Sequence, residues 1–287
     1  MFVGMNKLLR ERRAQILCWM AEGASIRSIC RPTGVSKNTV VNLLRDAGEA
    51  FSAYMDHELR GLSCKRLQLD EIWAFVYAKA KNVPTVKAAP EQAGDIWTWV
   101  AIDADTRLVA SYLVGDRNAA TANAFVSDLT DRLAGRAQIT SDGLRLYVEA
   151  VEQAFGADVD YAQIAKLYGD APEGQKRYSP AVCTGARKHA ITGRPDTAHV
   201  STSYAERQNL SKRMGNRWMT RLTNRFSKKA ENHAHAMAVY FKHHNLVRIG
   251  QTLRVTPAMA AGVMGRLWEL SDLVVALEQW EASNEQA

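Results

Sequence analysis

The sequence predicts an α/β fold, a mixed five-stranded sheet with flanking helices, preceded by a small all-α unit. Three observations predict it. Residues 7–48 carry apolar side chains at helical spacing, broken at Gly23 and again at Pro32-Thr33-Gly34. Residues 65–114 run as short apolar stretches separated by turn residues, the pattern of strands. Beyond residue 120, helical and strand-like stretches alternate, as they do where helices cover a sheet.

The first helix is predicted over residues 7–22, with Leu8, Ile16, Leu17, Trp19 and Met20 on its apolar face and Gly23 ending it. Ser25 caps a short helix carrying Ile26, Ile29 and Cys30, and Ser36 caps a third with Val40, Val41, Leu43 and Leu44 inside. A short helix, a glycine-containing turn and a second helix make a helix-turn-helix. In that motif the first residues of the last helix enter the major groove. Here they are Ser36, Lys37, Asn38 and Thr39, all suited to base edges and phosphates.

The first strand is predicted over residues 65–77, a loop over 78–94, a second strand over 95–103, a turn at Ala104-Asp105-Thr106 and a third strand over 107–114. A helix follows with Ala122, Phe125, Val126, Leu129 and Leu133 at helical spacing, then a strand over 137–142. A helix bearing Leu146, Tyr147, Ala150, Val151 and Ala154 and a fifth strand over 159–168 complete the centre. A three-stranded meander followed by helix, strand, helix and strand is the order of the ribonuclease-H-like fold, in which the first and fourth strands are neighbours. Residues 169–200 form an insertion of unassigned role. A helix over 227–247 and another beginning at Thr256-Pro257 close the chain. The expected organisation is a DNA-binding unit over 1–60, a catalytic domain over 61–250 and a helical extension over 251–287.

Three acids stand out. Asp70 interrupts the apolar run Leu67, Leu69, Ile72, Trp73, Phe75, Val76; Asp142 ends a strand; Glu206 opens the segment Tyr204-Ala205-Glu206-Arg207-Gln208-Asn209-Leu210. A carboxylate inside an apolar strand is costly unless a cation compensates it, and hard divalent cations are the usual partners of clustered carboxylates. Asp103 is the reserve candidate beside Asp70, although Asp103 and Asp105 flank a turn and fit turn roles. Glu71 is expected to face away from Asp70, because adjacent strand residues point to opposite sides.

The net charge is +7, and its distribution is uneven. From 207 to 229 there are eight Lys or Arg and no acid. One-sided charge of this kind favours a polyanion partner. Arg213, Arg217, Arg221 and Arg225 recur every fourth residue and would line one helical face if Gly215-Asn216 did not interrupt it. Arg207, Asn209, Lys212, Arg213 and Arg217 are the candidate DNA contacts in this region. The later histidines (His233, His235, His243, His244) lack the spacing of a metal site. The four cysteines form no CxxC pair, which argues against a zinc ribbon or a disulfide framework. No apolar run approaches the roughly 18 residues of a membrane span, so residence in the cytoplasm, at the nucleoid, is expected.

Several blocks taken together resemble the DDE transposases of bacterial insertion-sequence-1 elements. They are Leu69-Asp70-Glu71-Ile72-Trp73, Trp97-Thr98-Trp99-Val100-Ala101, Ser141-Asp142-Gly143, Ser203-Tyr204-Ala205-Glu206-Arg207-Gln208-Asn209-Leu210 and Phe226-Ser227-Lys228-Lys229. The resemblance covers roughly residues 8–275 and implies a catalytic triad of Asp70, Asp142 and Glu206, the three acids already singled out. One departure bears on the recognition of terminal repeats: the Cys-rich zinc-binding segment that many relatives carry ahead of the helix-turn-helix is not among these residues.

The expected chemistry is phosphoryl transfer assisted by two Mg²⁺ ions (Mn²⁺ as a substitute) held by Asp70, Asp142 and Glu206. Its substrate is double-stranded DNA, both the terminal repeats and the target. Because two ends must be handled together, a homodimer or larger assembly is expected. The rival readings are a catalytically idle DNA-binding regulator and a structure-selective nuclease of the same fold.

Overall fold

The computed structural model of the chain describes residues 7–169, 183–215, 217–219 and 226–285. Three helices come first: α1 (Arg10–Ala21), α2 (Ile26–Thr33) and α3 (Lys37–Glu58). The side chain of Ser25 accepts from the Ser28 amide and that of Ser36 from the Thr39 amide, so each polar residue caps the helix it precedes. Gly34 closes α2 at φ 68°, a left-handed position that other residues adopt only with strain. The third helix extends ten residues beyond residue 48, where the predicted helical stretch ends, through Phe51 and Met55 to Glu58.

A sheet follows: β1 (Arg66–Val76), β2 (Gly94–Asp103), β3 (Val109–Gly115), β4 (Ala137–Asp142), β5 (Val159–Tyr168) and β6 (Cys183–Thr192). Its order is β3-β2-β1-β4-β5-β6. The β1–β2 and β2–β3 pairs are antiparallel, β1–β4 and β4–β5 parallel, and β5–β6 antiparallel. This is the ribonuclease-H-like arrangement the element order predicts, with a correction. Among the described residues the sheet has six strands and not five, because the insertion over 169–200 supplies β6 as an added edge. Its residues are mostly exposed polar and small side chains (Thr184, Arg187, Lys188, His189) without the alternation that marks a half-buried strand.

Helices α4 (Ala119–Arg132) and α5 (Leu146–Phe155) cover one face, and α6 (Ser203–Gly215) and α7 (Ala230–Leu246) the other. On the first face Trp99 meets Phe125 at 6.1 Å and Tyr147 at 5.4 Å between ring centroids. On the second, Phe241 of α7 packs against Tyr112 of β3, with ring planes tilted by 37° and centroids 4.5 Å apart. Asn245 of α7 uses its amide to bond both the N–H (3.0 Å) and the C=O (2.9 Å) of Val109, satisfying the backbone beside a bulge between β2 and β3.

A short helix, α8 (Pro257–Ala260), and a last one, α9 (Leu270–Asn284), end the described chain. The latter packs on α1 and α3, where the buried Arg13 pairs with Glu281 and lies 3.5 Å from Glu278. The apolar side chains of the N-terminal helices, the sheet and α9 form one continuous core.

Candidate active site

The parallel register sets Leu69 beside Ser141, so the next residues, Asp70 and Asp142, stand level on neighbouring strands. Strand β4 stops there while β1 runs on to Val76 beside β2 alone. The missing neighbour leaves a cavity of about 760 Å³, lined by Asp70, Asp142 and Glu206 together with Arg117, Arg145, Lys166 and Thr202.

Asp70 accepts from the Glu71 amide (2.9 Å) and from the Asn209 side-chain amide (2.7 Å). Asp142 turns the chain by accepting from the Leu144 amide at 3.0 Å. Glu206 enters on the first turns of α6, which is seated by Gln68: its side-chain oxygen accepts from the amides of Tyr204 (2.7 Å) and Ala205 (3.1 Å). One Glu206 oxygen takes the Thr202 hydroxyl at 2.5 Å and the other pairs with Lys166.

Glu71 corrects the expectation from strand alternation. Its side chain does start toward the α5 face, where Tyr147 donates to it at 3.1 Å and Arg117 pairs with it at 2.6 Å. At the open edge of β1, however, its longer arm brings a carboxylate oxygen back toward the aspartates. Single oxygens of Asp70, Glu71 and Asp142 all lie within 4.8 Å of one another. The tight trio is therefore Asp70, Glu71 and Asp142, with Glu206 on the wall of the same cavity.

Charge follows from this crowding. Burial first, then the charges of Glu71 and Asp142, push the Asp70 carboxyl up to about 7. Burial and Asp142 likewise raise Glu71, against the lowering effect of Arg117. Hard oxygen donors gathered this closely, two of them raised by burial and by neighbouring negative charge, are the donor chemistry that suits a divalent cation such as Mg²⁺ or Mn²⁺.

The expected DNA contacts divide. Ser36, Lys37 and Asn38 are exposed at the start of α3 and Thr39 is half-buried; the Ser36 hydroxyl is already engaged as the cap. Arg207 is exposed and Arg213 half-buried on α6. Asn209 is buried and bound to Asp70, so it serves the carboxylates and does not face solvent. Lys212 is fully buried beneath α6, its ammonium 5.1 Å from the Phe241 ring. Burial lowers its pKa to about 7, so Lys212 is not a surface phosphate contact. The arginine stripe is broken: α6 ends at Gly215, Arg217 falls in a 3-10 turn (Arg217–Met219), and Arg221 and Arg225 lie outside the described residues. Gly215 marks this end in the sequence, glycine being the commonest helix terminator.

Asp103 also resolves. It is buried at the far end of β2 and accepts from the Thr106 amide and hydroxyl, a turn role. The cations Arg117 and Lys166 escape a reading of the sequence, since single charges in a loop and a strand carry no local signature. Glu71 could be found from its place beside Asp70.

No model of a known protein family and no curated protein matches the sequence. Among solved structures, the chain is similar to a piggyBac transposase synaptic complex with hairpin DNA, at 9% identity and TM-score 0.37, over 100% of this chain and 76% of that one. It is also similar to the Mos1 mariner paired-end complex with Mn, at 14% identity and TM-score 0.23, over 56% of this chain and 61% of that one. A pre-cleavage Mos1 transpososome matches over the same shares at 13% identity and TM-score 0.22.

Proposed function

We propose that this chain is a divalent-metal-dependent DNA transposase of the insertion-sequence-1 type. It would cut the ends of its element and join the freed 3′-hydroxyls to target DNA. The observation that carries the reading is the meeting of Asp70, Asp142 and Glu206 on one open cavity at the end of β4, with basic side chains around it.

Asp70 and Asp142 would hold the cation, with Glu206 as the third ligand and Glu71 as a buried reserve of charge beneath it. Divalent ions supply activation of the attacking oxygen and neutralisation of the leaving one. The protein residues do the positioning. Asn209 fixes the rotamer of Asp70, the β4 terminus fixes Asp142, and Thr202 and Lys166 hold Glu206. Arg117 and Arg145 offer positive charge to a phosphodiester entering the cavity. The exposed start of α3, with Lys37 and Asn38, would read the terminal repeat in the major groove. Paired ends call for a dimer or larger assembly.

The test is a strand-transfer assay with the full chain, a duplex bearing the element's terminal repeat, a target plasmid and Mg²⁺. Joined products that disappear with Asp142→Ala, while duplex binding persists, are expected. Cleavage without joining would favour a nuclease, and binding without either a regulator. Nicking by Asp142→Ala itself would overturn the site assignment.

A further inference from the structure

A second cavity opens on the other side of α6. At about 100° per residue, Glu206, Asn209 and Arg213 share one side of the helix, and Tyr204, Arg207, Gln208 and Ser211 the opposite one. The latter four line a cavity of about 680 Å³ together with Arg107 and Arg248, and no Asp or Glu is among its lining residues.

Arg107 is delivered by the β2–β3 turn in a left-handed conformation, φ 63°, which a non-glycine residue keeps only where its surroundings impose it. Its guanidinium lies on the Tyr204 ring, 3.2 Å from the centroid. One guanidinium nitrogen of Arg107 and the side-chain nitrogen of Gln208 are buried and have no hydrogen-bond partner among the described residues. Asp105, the carboxylate that feels the charge of Arg107, is already taken by Arg66. Arg207 and Arg248 are exposed, and neither makes an ion pair among the described residues. Three arginines, one of them with a buried nitrogen that has no acceptor, and the buried Gln208 amide, with no carboxylate among the described lining residues, match the chemistry of a phosphate group.

We propose that this cavity binds a backbone phosphate of a DNA strand. One helix then presents metal-binding chemistry on one side and a strand contact on the other. The inference rests on the DNA-processing reading above and adds a site to it.

The test measures binding of a labelled duplex to the full chain across a salt series, by fluorescence anisotropy. Arg248→Gln is the main variant and Arg207→Gln the second. Circular dichroism confirms folding, and Lys81→Gln, at an exposed position beside the start of β2, controls for net charge. Each arginine variant is expected to weaken binding about fivefold and to reduce the slope of log K against log salt by about one. Unchanged affinity and slope would overturn the inference, as would an equal loss with Lys81→Gln. Inorganic phosphate or pyrophosphate that binds wild type but not Arg248→Gln, with duplex affinity unaltered, would assign the cavity to a free anion and overturn the strand contact. If the strand-transfer assay succeeds while both arginine variants bind as wild type, this site falls and the transposase reading stands. If wild type binds no duplex at all, both fall.

Discussion

Asp70 stands in an apolar strand with two other carboxylates in reach, and its carboxyl is pushed up to about 7. In the unfolded chain the same group titrates near 4. Between those values the folded protein keeps a proton that the unfolded chain has released. Its contribution is therefore full at low pH and is lost as pH rises through about 7. The metal-free protein is expected to lose stability from pH 5 to pH 8. Asp70→Asn should flatten that decline and be more stable at pH 8 by on the order of 2 kcal/mol. Urea unfolding in EDTA at three pH values checks this, and saturating Mg²⁺ or Mn²⁺ should restore wild-type stability at pH 8. A wild-type profile that stays flat in EDTA would contradict the crowding of charge at this site. Asp70 and Asp142 were legible as candidates because each breaks its local pattern. Glu71 was legible as an acid but not as a member of the trio, because alternation describes where a side chain starts and not where a long one ends.

At the scale of elements, α3 and α7 approach closely at Gly48. A Cβ added at Gly48 would lie 2.4 Å from the Cβ of His235 and 2.6 Å from its Cα, and the clash is with backbone as well as side chain. Gly48→Ala is expected to cost about 2 kcal/mol or more despite its better helix propensity. The midpoint of urea unfolding measures it; a neutral or stabilising result would mean that the two helices separate easily. Helix α6 teaches the complementary point. Its basic residues Arg207, Lys212 and Arg213 read alike as DNA contacts, yet Lys212 points into the core, and the neighbouring Asn209 turns toward Asp70. Charge counted along a segment fails here because the helix touches neighbours on several sides, and only its packing decides which cations meet solvent.

At the scale of the molecule, the N-terminal helices and the last helix share one apolar core with the sheet. Arg13 of α1 is buried against Glu281 of α9, linking the two ends of the described chain. Unfolding is therefore expected to be a single cooperative transition, with far-ultraviolet circular dichroism and tryptophan fluorescence giving coincident midpoints in urea. Two separated transitions would instead mean that the residue 1–60 unit folds independently of the sheet. Among the described residues no helix is long and apolar enough to cross a membrane.

By itself the sequence determined the element order from the first helix to the fifth strand, the caps at Ser25 and Ser36, and the two aspartates that the strands bring level. These depend on local periodicity and on residues whose chemistry conflicts with their surroundings, and both can be read in one dimension. Only the tertiary structure decided the sixth strand, the inward turn of Asn209 and Lys212, the return of Glu71 and the arginine-lined cavity behind α6. Each arises where separate segments meet. An exposed edge strand lacks alternation, and the burial of a charge depends on what is packed above it. A cavity shared by the β2–β3 turn, α6 and the chain after α7 exists only once those segments are folded together.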